Sequence, residues 1–125
     1  MATKAVLAIG IDPTFTDRSE FPELSPELIR HYIDTQIKQL CTLGYQAESC
    51  LIDLGPTAEA TVERALQSRI FDCIVIGAGL RQPPQLLRLF EKIINLVHAL
   101  APRARIVFNT TPADTADAVQ RWISP

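Results

Sequence analysis

The stretch FDCIVIG at residues 71–77 decides how the rest of the chain is organised. At its centre, residues 73–76 form an uninterrupted apolar run, Cys-Ile-Val-Ile. A strand with one wet face alternates apolar and polar residues, whereas a strand covered on both faces is apolar throughout. Residues 4–11 contain a similar run, Ala5 to Ile9, which ends at Gly10. We therefore predict two covered, central strands of a parallel sheet.

Two further strands complete the predicted sheet. Residues 45–53 form a more polar segment, which favours a position at the edge of the sheet. Residues 105–109 form the fourth strand.

Apolar residues at helical spacing separate these strands. The first predicted helix, at 26–43, has Ser25 placed to cap it, Pro26 at its first position and Gly44 at its end. Its apolar stripe is Ile29, Ile33, Ile37 and Leu40. The second and third helices are predicted at 57–69 and 84–100. The last helix opens at 111–114, Thr-Pro-Ala-Asp, and its buried stripe is predicted to be Ala116, Val119, Trp122 and Ile123.

Strand and helix thus alternate four times, which is typical of right-handed β-α-β units on a parallel sheet. With the apolar first and third strands in the centre and the polar second strand at an edge, the strand order is 2-1-3-4. We expect a single α/β domain over residues 1–125. Its class is a three-layer, doubly wound sandwich (flavodoxin-like or Rossmann-like) with a four-stranded parallel sheet.

Composition and charge exclude several classes of function. The formal net charge is −2, and no run of Lys and Arg marks a surface for nucleic acid or membrane. No apolar stretch reaches the ~18 to 20 residues of a membrane span. The three cysteines, Cys41, Cys50 and Cys73, lack the spacing of metal ligands and suit a reducing compartment. We expect a cytoplasmic protein that binds neither nucleic acid nor membrane and holds no metal.

The third predicted helix has a wider apolar arc than an amphipathic helix needs. This arc indicates either deep burial or a face that contacts a partner subunit. A homodimer is therefore one expectation for the assembly.

Ligands of open parallel sheets bind outside the carboxyl ends of the strands, where neighbouring strands wind in opposite directions. For the order 2-1-3-4 this point lies between the first and third strands. Three loops meet there, at 10–19, 77–82 and 109–111. The candidate ligand-binding residues are Thr14, Thr16 and Arg18 in the first loop, Gly77, Gly79 and Arg81 in the second, and Asn109 and Thr110 in the third. Asp12, directly after the first strand, is the candidate catalytic acid or base.

Residues 14–19, Thr-Phe-Thr-Asp-Arg-Ser, resemble the phosphate loop of the flavodoxins, which has the pattern Ser/Thr-x-Thr-Gly-x-Thr after the first strand. Thr14, Thr16 and Ser19 match in residue type. Asp17 stands where that family has glycine, and its charge would face the phosphate. The resemblance implies flavin binding, and the departure at Asp17 opposes it.

Residues 72–77 and 89–108 are similar to the middle of an SGNH-type esterase, in which an apolar strand ends in glycine and a helix leads through proline to the next strand. The catalytic parts of that family are missing. Residues 10–13 contain no nucleophilic serine, Ala78 and Gly79 replace the Asn-Asp pair, and no Asp-x-x-His follows. The similarity therefore concerns the layering of the fold.

Two hypotheses about function remain, with a third beside them. The first, which we favour, is a binding module that holds a small anionic ligand, such as a nucleotide or phosphorylated metabolite, with Arg81 supplying the charge. The second is a hydrolase-like or transferase-like enzyme that uses Asp12. The third is a homodimeric interaction protein without an active site. The sequence leaves the cofactor undetermined.

Overall fold

The computed structural model of the chain describes residues 3–15 and 23–125. Its four strands are β1 (Ala5–Ile11), β2 (Gln46–Ile52), β3 (Cys73–Ile76) and β4 (Arg105–Phe108). They pair in parallel in the order β2-β1-β3-β4. The predicted strand order and the edge position of the polar second strand are confirmed.

In the described parts of the chain, five α-helices connect and cover the strands: α1 (Pro26–Thr42), α2 (Ala58–Ser68), α3 (Ala78–Arg81), α4 (Leu87–Leu100) and α5 (Thr115–Gln120). The helices α1 and α5 pack on one face of the sheet, and α2 and α4 pack on the other. The chain is therefore a three-layer α/β sandwich, as expected. No helix within 3–15 and 23–125 combines the length and the apolar character that a bilayer crossing requires.

The ends of α1 are set by the residues that the sequence places there. The Ser25 hydroxyl accepts a hydrogen bond from the backbone N–H of Leu28 at 3.1 Å, and Pro26 occupies the first turn. Beyond the helix, Gly44 adopts a φ of 108°, a conformation that favours glycine because it has no Cβ. The predicted caps of this helix are confirmed.

The predicted third helix, by contrast, begins later than expected, and a further short helix precedes it. A short helix, α3, follows β3 directly, a 3₁₀ turn covers Pro84–Leu86, and α4 begins only at Leu87. Two consecutive prolines, Pro83 and Pro84, lack the N–H groups that would continue α3. The expectation of a plain loop after β3 and of one helix from 84 was therefore wrong.

The last helix also differs from its prediction. It begins at Thr115 rather than at 111, because the Asp114 carboxylate accepts the N–H groups of Thr110 and Thr111 and closes a turn before the helix. Trp122 does not belong to the buried stripe: it follows the end of α5, and its side chain is 57 % exposed.

Most of the wide apolar arc on α4 is used inside the molecule. Ile93 and Val97 are buried, and four neighbours pack against the same core: Leu86, Leu89, Phe90 and Leu96. Leu87 and Leu100 remain exposed at the two ends of the helix. Packing against the core therefore accounts for most of the arc, and the homodimer stays a prediction.

The two faces of the sheet carry side chains of very different size. Toward α2 and α4, β1 presents Leu7, Ile9 and Ile11, and β3 presents Ile74 and Ile76. Toward α1 and α5, β1 presents Val6 and the half-buried Ala8. The strand alternation adds Gly10 to this second face. Large side chains thus fill one interlayer space, and small ones leave room in the other.

Replacing Ile74 with Ala tests the contribution of the large-residue face. Ile74 is 0 % exposed on a central strand, so we expect a loss of about 2–5 kcal/mol in the free energy of unfolding. Ile70→Ala makes the same chemical change at a side chain that is 88 % exposed and should cost less than about 0.5 kcal/mol. Urea unfolding of both variants provides the measurement, and equal losses would contradict the assigned core.

Candidate functional site

A cleft opens at the carboxyl ends of the strands, at the point between β1 and β3 where the strand order predicts a site. Its volume is about 690 Å³, which lies within the range of small-molecule sites. Gly10 and Ile11 of β1, Gly77 to Gly79 after β3, and Asn109 to Thr111 after β4 all belong to its lining. A second depression of about 400 Å³ lies between β2 and α2, away from the strand ends.

The floor of the cleft is the small-residue face of the sheet. Ala8 pairs with Val75 across β1 and β3, and both line the cleft. One step nearer the strand ends, a Cβ at Gly10 would meet no atom within 4 Å. A Cβ at Gly77 would instead lie 3.3 Å from the backbone oxygen of Ile9, so glycine permits this close approach. The small side chains of these strand residues therefore leave space above the sheet.

The roof of the cleft is the apolar stripe of α1. Ile29 and Leu40, at the two ends of the stripe, are buried at 7 % and 0 % exposure. Between them, Ile33 and Ile37 are only half-buried and line the cleft. Leu40 thus belongs to the core cluster on this face of the sheet, while Ile29, Ile33 and Ile37 line the cleft.

Polar contacts hold α1 in this position on both sides. Arg30 forms an ion pair with Asp12, with 3.2 Å between Nη2 and Oδ2. On the opposite side, the Gln36 side-chain oxygen accepts the backbone N–H of Ala116 at 2.8 Å, which links α1 to the start of α5. These contacts join the roof to the strand end and to the neighbouring helix.

Asn109 organises the polar side of the cleft. Its side chain is buried; Oδ1 accepts the N–H of Ala78 at 2.8 Å, and Nδ2 donates to the Thr115 hydroxyl at 3.0 Å. One amide therefore ties the loop after β3 to the beginning of α5. Because both ends of the amide are engaged, its role is to position the loops that form the mouth.

Asp114 closes the loop after β4. Its carboxylate accepts the N–H groups of Thr110 and Thr111, at 2.9 and 3.0 Å, and the Thr110 hydroxyl. Burial acts to raise the pKa of Asp114, but the hydrogen bonds from Thr110 and Thr111 and the charge of Arg121 outweigh it, so the pKa is lowered. Thr110 lines the cleft, but its hydroxyl is directed at Asp114.

Asp12, the candidate catalytic residue, lies beside the cleft rather than in its lining. Its carboxylate accepts the N–H and the hydroxyl of Thr14, at 3.0 and 2.9 Å, and pairs with Arg30. Hydrogen bonds from Thr14 and the charge of Arg30 outweigh partial burial and lower the pKa of Asp12. The group is therefore ionised at neutral pH and unsuited to donate a proton. Its catalytic role stays a prediction, and its observed role is to fix Thr14 and α1.

The carboxylate of Asp53, which follows β2, also accepts hydrogen bonds from residues close to it in sequence. It accepts the Thr57 hydroxyl at 2.6 Å and the N–H groups of Gly55 and Thr57. These bonds, led by that of the Thr57 hydroxyl, lower the pKa of Asp53. Within the described parts of the chain, no group of three His, Cys, Asp or Glu side chains is arranged to hold a metal ion.

Arg81, the candidate anion ligand, is not among the described residues that line the cleft. Its guanidinium donates to the backbone oxygen of Asn109 and stands 5.0 Å from the ring centroid of Phe108. These contacts hold the side chain against the end of β4. Its role as an anion ligand stays a prediction.

Four of the remaining candidates line the cleft: Gly77, Gly79, Asn109 and Thr110. The Thr14 hydroxyl is instead bound to Asp12. Thr16 and Arg18 fall outside the described residues, as does most of the loop that resembles the flavodoxin pattern. Ala8 and the isoleucines of α1 also line the cleft but were not among the predicted site residues. Two sequence features indicated them: the helical spacing of these isoleucines and the small residues on one face of the first strand.

In the comparisons with known proteins, no protein-family model and no curated protein sequence matches this chain. The assignment of function therefore rests on the site itself.

Removal of the Asp114 carboxylate tests the loop after β4. Asp114→Ala should lower the free energy of unfolding at pH 7 by about 1–2 kcal/mol, because three donors lose their acceptor. The pKa of this group in the folded state lies below the ordinary value of 3.8. Its contribution is therefore complete above that value and is lost as the pH falls through the folded-state pKa.

The measurement is the difference in Tm between the parent and Asp114→Ala, followed from pH 7 to pH 3. We expect the difference to shrink below about pH 4. Asp34→Asn, at an exposed position on α1, serves as the control and should track the parent at neutral pH. A difference that grows as the pH falls would contradict the assigned hydrogen bonds.

Proposed function

We propose that this protein binds a small, uncharged, largely apolar molecule that carries a hydrogen-bonding group at one end. The position of the cleft supports a binding site, because open parallel sheets hold ligands at their carboxyl edge. Its volume and its mostly apolar walls are typical of small-molecule sites. The character of the lining determines the class of ligand.

The observation that carries this proposal is the absence of charge. Among the described residues, the lining contains no Asp, Glu, Lys, Arg or His side chain. An anion buried among these described lining residues would lose its hydration without gaining a charged partner from them, which costs several kcal/mol. An uncharged ligand therefore replaces the anionic one as the favoured hypothesis.

The polar residues of the lining all lie on one side. Asn109, Thr110 and Thr115 are held in the hydrogen bonds described above, whereas Gln82, Gln85 and Thr111 are exposed at the mouth. Side-chain amides and hydroxyls both donate and accept hydrogen bonds. They suit an alcohol, amide or carbonyl group on the ligand, and the apolar remainder would face α1 and β2.

Matched pairs of compounds test the charge preference. We expect a primary alcohol or amide with an apolar body to raise Tm by several degrees at high concentration, since a ligand present at about 100 times its Kd stabilises the native state by about 2.7 kcal/mol. The corresponding carboxylate or phosphate ester should give a much smaller shift. Equal or larger shifts for the anionic partners would overturn the proposal and restore the anionic hypothesis.

A pair of variants tests whether the ligand binds in this cleft. Gly10→Leu places a side chain in the open space of the cleft, where a Cβ meets no atom within 4 Å. It should raise the Kd for the best uncharged compound about tenfold or more without lowering Tm. Gly55→Leu makes the same change at another glycine with open space around its Cβ, outside the lining, and should leave the Kd unchanged. Equal effects of the two variants on Kd would place the ligand elsewhere.

A further inference from the structure

We infer that the apolar part of the ligand is an unbranched hydrocarbon chain that enters lengthwise beneath α1, with Ala8 limiting its length. This inference rests on the proposed function and adds the shape of the ligand. It follows from the dimensions of the cleft, from the residues that close its inner end and from the small residue placed there.

The cleft narrows from its mouth toward its inner end. Near the mouth its lining reaches from Leu51 of β2 to Asn109 after β4, so that it spans all four strands. At the inner end the floor is only Ala8 and Val75, on two neighbouring strands about 5 Å apart. From Ala8 to Ile11 the lining on β1 is about 10 Å long at the rise of a strand. The inner part of the cleft is therefore a narrow slot beneath α1.

The inner end of the slot is closed. Beyond Ala8 on the same face of β1 stands Val6, and beyond Ile37 on α1 stands Leu40; both are 0 % exposed and belong to one apolar cluster. A ligand cannot pass them without displacing close-packed side chains. Ala8 is the last position before this closure, so the size of its side chain sets the usable depth.

The chemistry of the walls agrees with a hydrocarbon. Ile33 and Ile37 above and Ala8 and Val75 below offer no hydrogen-bonding side chain. The backbone groups of paired β1 and β3 are occupied by the sheet. A slender chain would complete the burial of the two isoleucines, whereas a bulky ring system would have to lift α1 against Arg30 and Gln36.

A series of straight-chain primary alcohols, from butanol to decanol, is the test on the full chain. In the parent protein the Kd should fall about three- to fourfold for each added CH₂, until the slot is filled and the Kd levels off. Ala8→Val and Ala8→Leu should move this plateau progressively to shorter chains, by about two or three CH₂ groups for Leu. Affinity for the shortest alcohols should stay within about twofold of the parent.

Ala60→Leu, at an exposed position on α2, is the control and should leave the plateau in place. A cyclic alcohol of equal carbon number should bind at least about tenfold more weakly than the linear one. Suppose that uncharged compounds bind and that Gly10→Leu weakens their binding. If the Kd then levels off at the same chain length in the Ala8 variants as in the parent, or if the cyclic alcohol binds as tightly as the linear one, the inference of a hydrocarbon chain is wrong and the proposed function stands. If no uncharged compound binds the parent protein, both are wrong.

Discussion

A parallel sheet has to be covered on both faces, and this chain meets that requirement unequally. On one face, α2 and α4 pack closely on isoleucines and leucines of the central strands. On the other, α1 spans Ala8 and Gly10 and joins the core cluster through Leu40. The closely packed face supplies most of the apolar burial, which allows the opposite face to leave room without loss of the fold. The position, depth and walls of the cleft all follow from this difference.

Four charged side chains near the strand ends, Asp12, Asp53, Asp114 and Arg81, do not belong to the described lining of this space. Asp12, Asp53 and Asp114 follow three different strands, and each accepts hydrogen bonds from a threonine nearby in sequence. Arg81 likewise donates to a backbone oxygen. These contacts order the loops after the strands and engage the four charged groups outside the described lining of the cleft.

The strand order was predictable because buried and edge strands differ in composition, as 73–76 and 45–53 do. The place of the cleft was predictable for the same reason, since it follows from the strand order. The directions of Asp12 and Arg81 were not predictable, because their partners Arg30 and Phe108 lie 18 and 27 residues away in sequence. Trp122 was misplaced because the turn closed by Asp114 shifts the start of α5. Local pattern therefore predicts elements and their order, and side-chain direction depends on tertiary partners.

The unequal seating of α1 has a consequence for conformational entropy. Ile33 and Ile37 are only half-buried, so close packing does not fix their χ2 torsions, although the helix restricts χ1. The strand residues beneath them are fixed by pairing on both sides of β1. An occupant of the cleft would order these two side chains at a cost of roughly 0.5–1 kcal/mol each. The same freedom lets the upper wall adjust to small differences in outline while the lower wall stays rigid. Binding in this cleft would therefore lose some affinity and gain tolerance of related molecules.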